Sequence, residues 1–212
     1  MKKLDIVLAS ASPRRKEILE TLGVPFRIVV SDAEENASLS LAPNDYVVET
    51  AREKCEDVLK KLRESDSLSE NTLVIACDTV VVYGGFIIGK PQDEAHAILT
   101  LGMLSDSWHS VYSGLAVYYK GRICCRAART DVKFRDVSEA EIKAYVDSGE
   151  PMGKAGSYAI QMKGGAFVER IEGEFNNVVG LPVAELLSLL REEFWLSLLD
   201  VAFYDVKGVS GC

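Results

Sequence analysis

"TLVIACDTVVVYGGFIIGKP", residues 72 to 91, decides the fold. Two apolar, β-branched runs flank Gly84-Gly85, a dipeptide suited to a two-residue turn, so the stretch reads as a β-hairpin. Its first run reads as a buried strand, and one residue breaks the pattern. Asp78 puts a carboxylate where an ionised acid is costly unless it is paired or meets a metal. The alternative is a strand edge or bulge where Asp78 reaches solvent or a lysine. We favour a working acid, because buried acids without a task are uncommon.

Upstream of this hairpin, residues 45 to 63 read as a long amphipathic helix with Val48, Ala51, Cys55, Val58 and Leu62 as its stripe. Lys54 flanks that stripe, so its stem can lie on the core while its amine reaches a cleft. The polar "RESDSLSEN" is a loop. Further back, "FRIVVS" reads as a strand ending in the acidic turn "DAEEN", which holds Glu34 and Glu35.

"LASASPRRKEIL", residues 8 to 19, contains a contradiction. Ser12 followed by Pro13 reads as a helix N-cap with proline at the first helical position, and Gly23 is placed to end that helix. Arg14, Arg15 and Lys16 then fall in the first turn, the positive end of the helix dipole, where cations are unfavourable by roughly 0.3–1 kcal/mol each. Two explanations stand at this point. Glu17 and Glu20 pair with Arg14 and Lys16 on a solvated face, or an anion docks on the helix end, where free N–H groups and guanidinium forks act together.

Downstream, "DEAHAILTLGML" is a helix and "HSVYSGLAVYYKGRICCRAARTDVKF" a long hairpin turning at Lys120-Gly121. Ser138 and Glu141 form a capping box for the helix "EAEIKAYVDS". "SYAIQ" and "AFVERIEG" read as strands, and "VAELLSLLREEF" as a closing helix behind Pro182. Helices and hairpins mixed in this way predict an α/β protein with a mixed sheet. One domain over residues 1–195 and a C-terminal tail over 196–212 are expected.

The 212 residues are 48% hydrophobic and 26% charged, with a formal net charge of −8. An acidic chain of this kind argues against a nucleic-acid or membrane-surface binder, which needs a basic face. It also means that cations for a polyphosphate must be gathered locally, or a metal recruited. The five cysteines are odd in number and match no metal-ligand spacing, which indicates free thiols in a reducing compartment. No segment is long and apolar enough to span a bilayer, Asp5 interrupts the N-terminal apolar stretch, and a cytoplasmic protein is expected. His109 in "WHSVYSG" is read as a satisfied structural histidine and His96 as a helix-surface one. Lys90 in "GKP" and Lys154 in "GEPMGKAGSYAIQ" are further polar groups in suggestive places. Carboxylates with scattered lysines and arginines, and no Ser-His-Asp or Cys-His set, point toward metal-assisted phosphate chemistry.

Read in order, "SASPRR", the acidic turn at Glu35, "AREK", "CDTVV", "GKP", "HSVYSG", "GEPMGKAGSYAIQ" and "NNVVGLP" resemble the Maf family of nucleoside triphosphate pyrophosphatases, from Leu4 to about Leu190. The resemblance implies an elongated mixed sheet flanked by helices, with two lobes and a central cleft, related to the inosine triphosphate pyrophosphatase fold. It implies hydrolysis of a nucleoside triphosphate to monophosphate and pyrophosphate with a divalent metal, Mg²⁺ or Mn²⁺; the partners it implies are a small-molecule nucleotide substrate and a second copy of the chain, as a homodimer. By position, Asp78 would activate water and join Glu35 at the metal, and Ser10, Arg14, Arg15, Lys54 and Lys90 would hold the phosphates. Arg14, Thr79 and Gln161 match residues tied to base choice in the branch acting on dTTP and UTP. A Gln161 amide offers one donor and one acceptor to the edge of uracil or thymine. Cys77, Ser113, Ala159 and Met162 depart from the family pattern. Two alternative functions are a pyrophosphatase for methylated guanosine triphosphates and a non-catalytic, nucleotide-binding regulator of cell division. Asp78 and Glu35 converging on a metal-free site would repel, so Asp78→Asn would then leave the metal-free protein as stable or more so.

Overall fold

The computed structural model describes residues 4–33 and 41–199. Its frame is a mixed sheet of seven strands, centred on β3 (Thr72–Tyr83). β3 pairs in parallel with β1 (Asp5–Leu8), and β1 in parallel with the two-residue β2 (Arg27–Ile28). On its other side β3 runs antiparallel to β5 (Trp108–Tyr119), followed by β6 (Arg122–Phe134) and β7 (Val168–Glu172). The short β4 (Phe86–Ile88) folds back on β3 through Gly84 and Gly85, both at positive φ, the backbone of the expected two-residue turn.

The absence of alternation in β3 follows from its place between two layers. Leu73, Ile75, Cys77 and Val81 face the larger core, with side chains from α1 (Pro13–Thr21), α3 (Glu94–Leu104), α4 (Glu139–Asp147) and α6 (Val183–Phe194). Val74 and Ala76 face Ala51, Cys55, Val58, Leu59 and Leu62 of α2 (Pro43–Glu64), and Val80 and Val82 meet Tyr46 and Val47 of the same helix. Each fully buried aliphatic side chain in these clusters contributes roughly 1.5–3 kcal/mol. Period two therefore puts Asp78 on the α2 face of the sheet and Thr79 on the opposite face.

Seating α2 so closely requires Gly114, the cross-strand partner of Asp78 on β5. A Cβ there would lie 2.0 Å from the Val47 carbonyl oxygen. The capping box forms as expected, with the Ser138 hydroxyl accepting from the Glu141 N–H and the Glu141 carboxylate from the Ser138 N–H. Cys124 packs toward the larger core and Cys125 toward the α2 core, and both are free thiols.

Two expectations are corrected. "FRIVVS" keeps only Arg27–Ile28 as strand, because side chains of α2 take over the following groups: Lys61 Nζ donates to the Val30 carbonyl, and Asp57 accepts from Ser31 Oγ and the Asp32 N–H. "SYAIQ" is not a strand; Gly156 and Ser157 are at positive φ, and the Ala159 N–H is taken by the Tyr145 hydroxyl. "NNVV" lies in a short helix, α5 (Phe175–Val179), that apolar periodicity over so few residues does not announce. Leu198, within the span read as tail, is fully buried in the larger core. No helix among the described residues is long and apolar enough to cross a membrane.

Candidate active site

The loop after β1, the N-terminus of α1, the middle of β3, β4 with Lys90, the 153–161 segment and the end of α5 surround one cleft of about 720 Å³. Ser10, Arg14, Arg15, Lys54, Asp78, Thr79, Lys90 and Gln161 all line it, as does Lys154. Glu35 lies outside the described residues. Among the described lining residues the cleft holds five cations, Arg14, Arg15, Lys54, Lys90 and Lys154, against one carboxylate, Asp78. Such a cleft in a chain of net charge −8 is built for an anion.

The contradiction at α1 resolves in two parts. Lys16 pairs with Glu20 at 3.5 Å on the surface. Arg14 and Arg15 instead reach across the chain to the carbonyls that end α5. Arg14 Nε donates to the Val179 carbonyl at 3.2 Å and Arg15 Nε to the Gly180 carbonyl at 2.8 Å. Those carbonyls are acceptors that a helix end leaves without intrahelical partners. Arg15 also donates to Ser10 Oγ at 3.1 Å and to Thr79 Oγ1 at 3.2 Å. Burial and then the neighbouring Arg15 hold the Arg14 pKa below its ordinary value. Burial and then Arg14 do the same to Lys154, whose amine donates to the Glu150 carbonyl. Cations that weaken one another in this way gain from a bound polyanion.

Thr79 is placed to brace Arg15. Its hydroxyl lies 2.8 Å from Ser113 Oγ and 3.3 Å from the Gly180 carbonyl, in addition to the Arg15 contact. On the other face of β3, Asp78 Oδ1 accepts from Lys54 Nζ at 2.6 Å. Both side chains are largely covered, 10% and 17% exposed. Lys54, expected on a phosphate, therefore meets Asp78, and the lysine pairing weighed as the alternative for this acid is present. A short charge-assisted contact of this geometry fixes where the carboxylate points.

Gln161 presents a buried Oε1 with no hydrogen-bond partner among the described residues. An orphaned acceptor in a cleft is a costly arrangement that a ligand N–H relieves. His109 is buried, with Nε2 2.8 Å from the Tyr158 hydroxyl and its ring against Phe134; burial pulls its pKa down to about 4. It packs in the core as expected, but it is not fully satisfied: Nδ1 is buried with no hydrogen-bond partner among the described residues. His96 sits at the exposed start of α3, where the Gln92 N–H donates to its Nδ1.

The parts that sequence reasoning missed are mostly backbone. The Val179 and Gly180 carbonyls carry no side-chain signature, and only the motif "NNVVGLP" marked that region. Ser113 was noted as a departure, without its contact to Thr79.

A family model described as Maf-like protein matches residues 5–193. The chain belongs to the Maf-like family. Two relatives are a protein of Bacillus cereus (strain ATCC 10987 / NRS 248), 44% identical over 91% of this chain and 90% of that one, and a protein of Bacillus mycoides (strain KBAB4), 44% identical over 88% and 94%. Both are named dTTP/UTP pyrophosphatase. A solved structure of the Staphylococcus aureus Ham1 protein is similar at 16% identity with a TM-score of 0.43, over 62% of this chain and 72% of that one. At that level it adds nothing to the Maf-like assignment.

Proposed function

We propose that this protein is a nucleoside triphosphate pyrophosphatase that hydrolyses dTTP and UTP to the monophosphate and pyrophosphate. The observation that carries the reading is one cleft lined by Arg14, Arg15, Lys54, Lys90 and Lys154, with Asp78 the one carboxylate among its described lining residues. A triphosphate brings a charge of about −4, which these cations and their hydrogen-bond donors can hold. Asp78, aimed by its hydrogen bond from Lys54, accepts a proton from water as the water oxygen bonds to the α-phosphorus. The α–β bridging bond breaks, and pyrophosphate leaves with the electron pair. Arg15, fixed by Ser10, Thr79 and Gly180, holds phosphate oxygens in place during this exchange.

A divalent metal fits this donor set. No group of three or more His, Cys, Asp or Glu side chains gathers among the described residues, and Mg²⁺ is commonly held by one or two carboxylates with substrate phosphates and water. Asp78 would hold it here, with Glu35 proposed as the second acid; when bound, Mg²⁺ or Mn²⁺ neutralises phosphate charge and orients the water. Gln161 Oε1 would accept from N3–H of the pyrimidine, and its amide would donate to O4. The free thiols at Cys55, Cys77, Cys124 and Cys125 support a cytoplasmic setting.

Phosphorus NMR of a nucleotide panel incubated with Mg²⁺ or Mn²⁺ tests the reaction. Monophosphate and pyrophosphate from dTTP and UTP, lost on adding EDTA, are expected. Diphosphate and orthophosphate would place attack at the γ-phosphorus and overturn the reading.

A further inference from the structure

Glu150 is a buried acid that the proposed reaction does not use. It lies just after α4, below the segment that carries Gln161, and its carboxylate accepts two N–H groups of that segment and the hydroxyl of Tyr145 on α4. Oε1 accepts from the Gly164 N–H at 3.0 Å and from the Tyr145 hydroxyl at 2.9 Å. Oε2 accepts from the Lys163 N–H at 3.3 Å. The Tyr145 oxygen in turn accepts from the Ala159 N–H at 3.3 Å. One carboxylate therefore grips the segment directly at residues 163 and 164, and through Tyr145 at residue 159. Gln161 sits between the two grips.

The packing is as tight as the bonding. A Cβ on Gly164 would lie 2.7 Å from the Tyr145 hydroxyl and 2.9 Å from the Ala159 nitrogen. One on Gly165 would lie 2.3 Å from the Ile160 carbonyl. The turn closes through Met162 N–H to the Ala159 carbonyl and Gly165 N–H to the Met162 carbonyl, both at 3.1 Å. Burial, then the Glu150 contact, pushes the Tyr145 hydroxyl well up, so it stays a donor at any physiological pH. A buried acid that takes two N–H groups of one short segment, and a third contact through Tyr145, fixes that segment's backbone.

We propose that Glu150 and Tyr145 are positioning residues that set the pyrimidine specificity by fixing Gln161 against the base. This rests on the reading of Gln161 as the base contact. Neither Glu150 nor Tyr145 lines the cleft, so both act through the segment.

The test is steady-state kinetics on dTTP and dGTP, with thermal melts to confirm folding. Tyr145→Phe deletes only the linking hydroxyl. It should raise KM for dTTP roughly three- to ten-fold with a smaller loss in kcat, and narrow the preference over dGTP. Glu150→Ala should do the same more strongly. Glu150→Gln, which keeps an oxygen for Tyr145 and Gly164, should restore most of the preference. In a Gln161→Ala background, Tyr145→Phe should add nothing further. An additive effect there, or an equal kcat loss on both nucleotides, would show a merely structural role and overturn the proposal. If Gln161→Ala narrows the preference while a folded Tyr145→Phe is inert, the proposal alone fails. An intact preference in Gln161→Ala would remove the base-reading assignment, and the proposal with it.

Discussion

Asp78 and Thr79 are chain neighbours whose side chains leave β3 on opposite faces, and each is held by a cation. The acid meets Lys54 from α2; the hydroxyl meets Arg15 from α1. From the sequence alone, Asp78 is expected to be repelled by Glu35 in the metal-free protein. The 2.6 Å contact with Lys54 reverses the stability side of that expectation. Asp78→Asn should lower turnover by on the order of 10²–10⁴-fold. It should also destabilise the metal-free protein by about 1–3 kcal/mol, because Asn keeps an acceptor for the Lys54 amine but loses the charge. Melts in EDTA beside a turnover assay measure both. Unchanged turnover in a folded variant would remove Asp78 from the chemistry. Asp78 was legible because a carboxylate in an apolar run is conspicuous. Its lysine was placed near a cleft but not on the acid, since helix-to-strand docking sets that distance.

At the scale of elements, α2 lies on the sheet only because β5 has no side chain at Gly114. Gly114→Ala should force the helix off Val80 and Ala76, costing on the order of 3 kcal/mol. As α2 carries Lys54, activity should fall with it. A melting temperature within a degree or two of the parent would mean that the helix shifts without strain. Elements with local signatures were readable: both two-residue turns, the Ser138 capping box, and the amphipathic α2. Elements stabilised from elsewhere were not. The 158–161 segment is apolar enough for a strand, with Tyr158, Ala159 and Ile160 all buried. Tertiary hydrogen bonds from Tyr145 and Glu150 override that propensity.

For the whole molecule, His109 links the core to acidity. Burial lowers its pKa from 6.5 to about 4, against the opposing charge of Asp131. Between those values the unfolded chain binds a proton that the native state refuses. The stabilisation is present at pH 7 and is lost as the pH falls through 6.5 toward 4. This imidazole alone should remove about 2 kcal/mol between pH 7 and pH 5. Urea unfolding at the two pH values measures it, and His109→Gln should flatten the difference. An equal slope in both proteins would assign the acid sensitivity to other groups.

The grip of Arg14 and Arg15 on Val179 and Gly180 joins positions 165 residues apart. During synthesis at about 5–20 residues per second, the arginines emerge roughly ten to thirty seconds before their acceptors. Until then their cleft lacks one wall and Arg15 lacks its strongest anchor. The growing chain thus carries an anion-attracting helix end without the geometry to hydrolyse what it attracts. A ribosome stalled before residue 179 would release no partial enzyme.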